Sequence, residues 1–175
     1  MKLEQKYFLP FVAVITIFLL FVIAVYTFDY SEKQQASFMQ KVQEKGILDT
    51  LHIVTIDSRR FILSDSMRKP ATVLVFWAGW SEKSISFLKT VVENNPDTAR
   101  FEVIGLLVKD HPAEVQAIMH EIPGVTWAMG TAHYGSLLVP GVPSAISWQG
   151  GGKPVKAISG NNPDSVKVLF SAGME

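Results

Sequence analysis

The chain contains no cysteine among its 175 residues. That absence excludes disulfides, thiolate nucleophiles and the thiolate ligands of structural zinc sites. Clustered positive charge is also missing, since 16 basic residues balance 16 acidic ones and no basic run occurs. Nucleic-acid binding needs a concentrated positive surface, and recruitment of anionic lipid needs a polybasic stretch beside the membrane, so neither is expected. No internal repeat or low-complexity tract interrupts the sequence. The histidines, His52, His111, His120 and His133, do not pair at ligand spacing on one helix, so they read as surface or capping residues and no metal or other cofactor is expected. Glu102, Asp110, Glu114 and Glu121 fall on different expected elements or faces and make no catalytic carboxylate pair. The Gly-x-Ser-x-Gly elbow of serine hydrolases is absent. Ser86 to Lys89 has the Ser-x-x-Lys spacing of penicillin-binding enzymes without their companion motifs, which fits the polar face of a helix better.

The stretch from Tyr7 to Phe28 is predominantly apolar and carries no charge. As a helix it measures about 33 Å, roughly the hydrocarbon thickness of a bilayer. A cleaved signal peptide has a shorter apolar region that ends in small residues, whereas this one ends Ala24-Val25-Tyr26-Thr27-Phe28 and reads as an uncleaved anchor. Lys2 and Lys6 precede it and Asp29, Glu32 and Lys33 follow, so the positive-inside rule puts residues 29–175 outside the cytoplasm, in the periplasm if the cell has one. The expected organisation is a cytoplasmic segment over residues 1–6, a cytoplasmic-membrane span over 7–28, a stalk over 29–48 and one domain over 49–175. Beyond the span, acidic residues outnumber basic ones by one.

Ser31-Glu32-Lys33-Gln34 has the pattern of a capping box, and Phe38, Met39 and Val42 follow at helical spacing before Gly46, which predicts a short helical stalk, read as a solvated spacer with a weak docking face as the alternative. Leu51 to Ile56 and Arg60 to Leu63 are strand-like runs around Asp57-Ser58-Arg59, which suits a hairpin. A strand over Thr72 to Trp77 leads into a helix from Ser81 to about Asn94, stopped by Asn95-Pro96. Phe101 to Val108 predicts a second central strand, and Pro112 the first turn of a helix that turns Val115, Ile118, Met119 and Ile122 inward. Val125 to Met129 is a short apolar run, followed by a loop or short helix over Tyr134 to Leu138. The run from Gly141 to Trp148, a turn at Gly150-Gly151-Gly152-Lys153 and Pro154 to Ile158 predict an antiparallel hairpin before a last helix, Ser165 to Ala172. Alternating strands and helices imply parallel strands with helices packed on the sheet.

The chain is organised around Val73 to Leu88, VLVFWAGWSEKSISFL. Its first half suits a strand buried on both faces, and its second half an amphipathic helix with Ile85, Leu88 and Val92 on one side. Ser81 is a good N-cap and Glu82 an acid in the first turn. Trp77-Ala78-Gly79-Trp80-Ser81-Glu82-Lys83-Ser84 resembles the Trp-Ala-x-Trp-Cys-x-x-Cys junction of thioredoxin-like thiol-disulfide oxidoreductases, with serine at both cysteine positions. The element order over about residues 49–173 resembles the membrane-anchored members of that family, of the TlpA and cytochrome c maturation type. The resemblance implies an α/β thioredoxin-like fold with a central mixed sheet. It also implies that Gly141-Val142-Pro143 takes the place of the family's cis-proline loop, whose residue before the proline pairs with an extended peptide; a trans proline that opens a strand is the alternative.

Ser81 and Ser84 cannot perform the family's thiolate attack and resolution. Ser81 reads as an N-cap and Ser84 as a group bonded to backbone or water. By resemblance, Trp80, Ser81, Val142 and Pro143 would surround one groove that takes an extended segment of an extracytoplasmic protein. Trp80 could instead pack into the core. The functional expectation is a membrane-anchored binding or assembly module for envelope or respiratory proteins, apocytochromes among them. The rival readings are a thiol-disulfide oxidoreductase in which serine has been put in place of both cysteines, and a purely structural part of a larger membrane complex.

Overall fold

The computed structural model describes residues 5–64, 69–149, 156–160 and 162–171. In chain order the elements are α1 (Gln5–Val42), β1 (His52–Val54), β2 (Arg60–Ile62), β3 (Ala71–Trp77), α2 (Glu82–Glu93), β4 (Phe101–Leu107), α3 (Gln116–Glu121), β5 (Val125–Met129), α4 (Thr131–Ser136), β6 (Ser144–Trp148), β7 (Lys156–Ser159) and α5 (Pro163–Ser171). The predicted turn at Gly150 to Lys153, with Pro154, lies outside the described residues.

Every residue of β3 is buried, and the strand is the middle of a five-stranded sheet ordered β5-β4-β3-β6-β7. It pairs parallel with β4 and antiparallel with β6, and β4 pairs parallel with β5. Because side chains alternate along a strand, β3 sends Val73, Val75 and Trp77 to one face and Leu74 and Phe76 to the other. The first face is covered by Phe87, Leu88 and Val91 of α2 and by Val166, Leu169 and Phe170 of α5. The second is covered by Leu51 and Ile53 around the β1–β2 hairpin, by Leu137 and Val139 after α4, and by Phe38 and Val42 of α1.

That last contribution corrects the solvated stalk. Residues 29–42 are not a separate helix capped at Ser31 but the continuation of α1, unbroken over 38 residues. Phe38 and Val42 are each only 1% exposed. Two apolar side chains one turn apart make a narrow stripe, which a solvated helix also tolerates, so their burial depended on a sheet face with a vacant place. The apolar residues of α1 up to Phe28, from Phe8 on, remain exposed. The helix is long and apolar enough to cross a membrane.

A smaller correction concerns α3. It starts at Gln116, with residues 112–115 in a turn, so Pro112 is not in its first turn. The carboxylate of Asp110 accepts from the N–H groups of Gly79 and His111, and the imidazole Nδ1 of His111 accepts from the Ala113 N–H, which bends the chain before a helix can start. Val115 and Ile122 are buried as expected, while Ile118 and Met119 pack at the margin of the core. Val125 to Met129 forms a full strand, and the hairpin lies against its outer edge through a Thr55–Ala128 bridge and the Ile56 N–H to Trp127 carbonyl bond.

Candidate functional site

The site lies where β3 ends and α2 begins. After Trp77 the chain makes a tight turn, and Ser81 is the N-cap of α2, with an extended backbone and a side-chain oxygen that accepts from the Ser84 N–H at 3.3 Å. Ser84 is fully buried. Its hydroxyl accepts from the Ala78 N–H (3.1 Å), and its one proton is shared between the carbonyls of Ala78 (2.8 Å) and Ser81 (2.9 Å). The Ser84 side chain therefore ties the strand end to the helix start, with its proton already engaged and the hydroxyl shut away from solvent.

Gly79 explains the tightness of the turn. A Cβ there would stand 2.3 Å from Val115 Cγ1 and 2.9 Å from Asp110 Oδ2. The bare backbone instead approaches Asp110 closely, and the Gly79 N–H donates to its carboxylate at 2.8 Å. Asp110, dismissed from sequence as half of a carboxylate pair, has a structural part at this junction that the sequence does not announce. The signal was the parallel pairing of β3 with β4, in which Trp77 stands opposite Leu107, so that both chains leave the sheet at one end.

The two tryptophans of the junction part company. Trp77 is buried beside Trp127, with ring centroids 5.2 Å apart, while Trp80 is 67% exposed. The core-packing alternative for Trp80 is thereby removed. The β3–β6 ladder ends with Phe76 opposite Ser144, so Val142 and Pro143 enter β6 at the same end of the sheet. The Val142–Pro143 bond is cis. Pro143 is buried and its carbonyl accepts from the Gly160 N–H at 2.9 Å, whereas among the described residues neither the N–H nor the carbonyl of Val142 has a protein partner. Half-exposed Ser81, exposed Trp80 and the free backbone of Val142 thus share one end of the sheet.

The other polar groups are engaged elsewhere. Lys89 pairs with Glu121 at 3.1 Å, and Thr126 donates to Glu102 at 2.9 Å. Among the described residues no three metal-ligating side chains gather. His133, in α4, does meet His52 of β1, a pairing across elements that helical spacing could not reveal. Burial holds the His133 imidazole below its usual range, a hydrogen bond to the His52 backbone opposes that, and the His52 side chain adds to it.

No sequence family matches the chain, and none of the curated proteins does. Its likeness is to solved structures. A thioredoxin-like protein from Aeropyrum pernix superposes with a TM-score of 0.62 at 12% identity, over 81% of this chain and 99% of that one. DsbF of MTB gives 0.60 at 18% identity, over 71% and 96%. A thiol:disulfide interchange protein of the thioredoxin family from Chlorobium tepidum gives 0.55 at 17% identity, over 71% and 93%. The fold is therefore thioredoxin-like, an α/β domain with a central mixed sheet preceded by a long apolar helix, and its structural neighbours include a disulfide oxidoreductase and a thiol:disulfide interchange protein.

Proposed function

We propose that this chain is a membrane-anchored, extracytoplasmic binding or assembly module that has the thioredoxin-like fold without its thiol chemistry. In this reading α1 crosses the cytoplasmic membrane with the lysine-flanked end inside, and the domain holds an extended segment of an envelope or respiratory protein. The observation that carries it is the presence of exposed Trp80 and the unpartnered backbone of Val142 at one end of the sheet, where the buried Ser84 hydroxyl is bonded within the fold. A large rigid aromatic supplies contact area, and a free N–H and carbonyl supply strand-like pairing, so recognition of an extended chain requires no sulfur. Fold alone does not fix function, and the reading rests on these groups.

Photocrosslinking tests it. With p-benzoylphenylalanine at position 80 in cells that make the protein, discrete protein adducts are expected after irradiation, and none from position 98 at the opposite end of the sheet. An adduct-free chain at position 80, made and inserted normally, would overturn the binding role. Protease added to intact spheroplasts should remove the domain; protection until lysis would reverse the orientation.

A further inference from the structure

We infer that the end of α4 rests in the headgroup layer of the bilayer that α1 crosses, so that the sheet end bearing Trp80 and Val142 lies near the membrane surface. This rests on the proposed span. Since α1 runs unbroken from its apolar stretch into the domain core, height above the membrane can be counted along it at about 1.5 Å per residue. Tyr30 lies about 3 Å beyond Phe28 and Lys33 about 8 Å, within or just past a headgroup layer of about 5 to 7 Å. At that level the domain comes alongside. A groove of about 500 Å³ is lined by Tyr30, Lys33, Gln34 and Ser37 of α1 and, across from them, by Tyr134 and Leu138 at the end of α4.

The chemistry of this edge suits lipid. Outside α1, the large apolar side chains exposed among the described residues are Trp80, Leu138 and Val168. Leu138 is 52% exposed, and its backbone is left-handed with φ of 56°, a steric cost for a bulky residue; its apolar side chain stands in a setting that water does not favour. Tyr26, Phe28 and Tyr30, all exposed, ring the end of the apolar stretch, where aromatic side chains sit at the headgroup level. The Lys109 ammonium lies 5.6 Å above the ring of Tyr134 and adds a cation to the same edge, complementary to lipid phosphate. Leu138 and Val142 are separated by so few residues that their Cα atoms are at most about 14 Å apart. The partner segment reaching Trp80 and Val142 is then one that stands close to the bilayer, as the flank of a membrane-inserted chain does.

The lack of cysteine makes the test direct, because a single introduced thiol carries the only label. Full chains bearing Ile17→Cys, Ser136→Cys or Thr98→Cys, each with an environment-sensitive fluorophore, are placed in phosphatidylcholine–phosphatidylglycerol nanodiscs containing lipids spin-labelled at the headgroup or deep in the acyl chain. The deep quencher should act at 17, the headgroup quencher at 136, and neither at 98. Adding Leu138→Glu to the 136-labelled chain should reduce its quenching to the level seen at 98. Quenching at 17 with none at 136, or quenching at 136 that ignores Leu138→Glu, would overturn the membrane seat and leave the span intact. Absence of quenching at 17 would remove the span and the seat together.

Discussion

The inner and outer sides of the β3–α2 junction are built from the same kinds of residue and use them oppositely. On the inner side Trp77 and Ser84 are fully buried, one against Trp127 and the other hydrogen-bonded to the backbone of Ala78 and Ser81. On the outer side Trp80 is exposed and Ser81 half-exposed, its hydroxyl making only the cap bond. Residues that stabilise a fold are seen by its interior. An exposed indole contributes little to that, so under the proposed function the outer side is the one left free to meet a partner.

Substitutions should separate the two sides by their cost to stability. Trp77→Ala should cost about 3 to 5 kcal/mol in urea unfolding, because a buried aromatic leaves a cavity. Ser84→Ala should cost about 1 to 3 kcal/mol, since the Ala78 N–H would be buried without a partner. Ser81→Ala, which removes only the cap, should cost about 1 kcal/mol. If Ser81→Ala proved as damaging as Ser84→Ala, the division between the two sides would be lost. His133 is half-buried and should show a smaller, pH-dependent effect. Its lowered pKa means that both folded and unfolded states are neutral above about pH 6.5, where its contribution is fully present. As pH falls below that value the unfolded imidazole takes up a proton first, so stability falls. Melting curves between pH 7.5 and 5 should therefore drop less steeply in His133→Gln.

Much of this was legible in the sequence, for reasons that differ from element to element. The apolar run of β3, the N-cap at Ser81 and the period of α2 declare themselves, because local chemistry decides them. The α1 extension did not, because the fate of Phe38 and Val42 depended on a space that the distant strands β3, β4 and β6 create. Asp110 was hidden for a similar reason. Its bond to Gly79 spans 31 positions, and only the parallel register brings the two together. Trp77 and Trp80 could not be told apart by composition; the turn at Gly79, closed against Val115 and Asp110, points one indole inward and leaves the other outside.

The most direct test compares the unaltered full chain with Trp80→Ala, in detergent micelles, for binding of a reduced and alkylated, unfolded polypeptide, with thermal melting measured on the same samples. The account predicts that the substitution shifts stability by no more than about 0.5 kcal/mol and weakens binding by more than roughly 1 kcal/mol, about fivefold. Equal affinity in the two chains, no binding by the unaltered chain, or a loss of stability comparable to that of Trp77→Ala would contradict it.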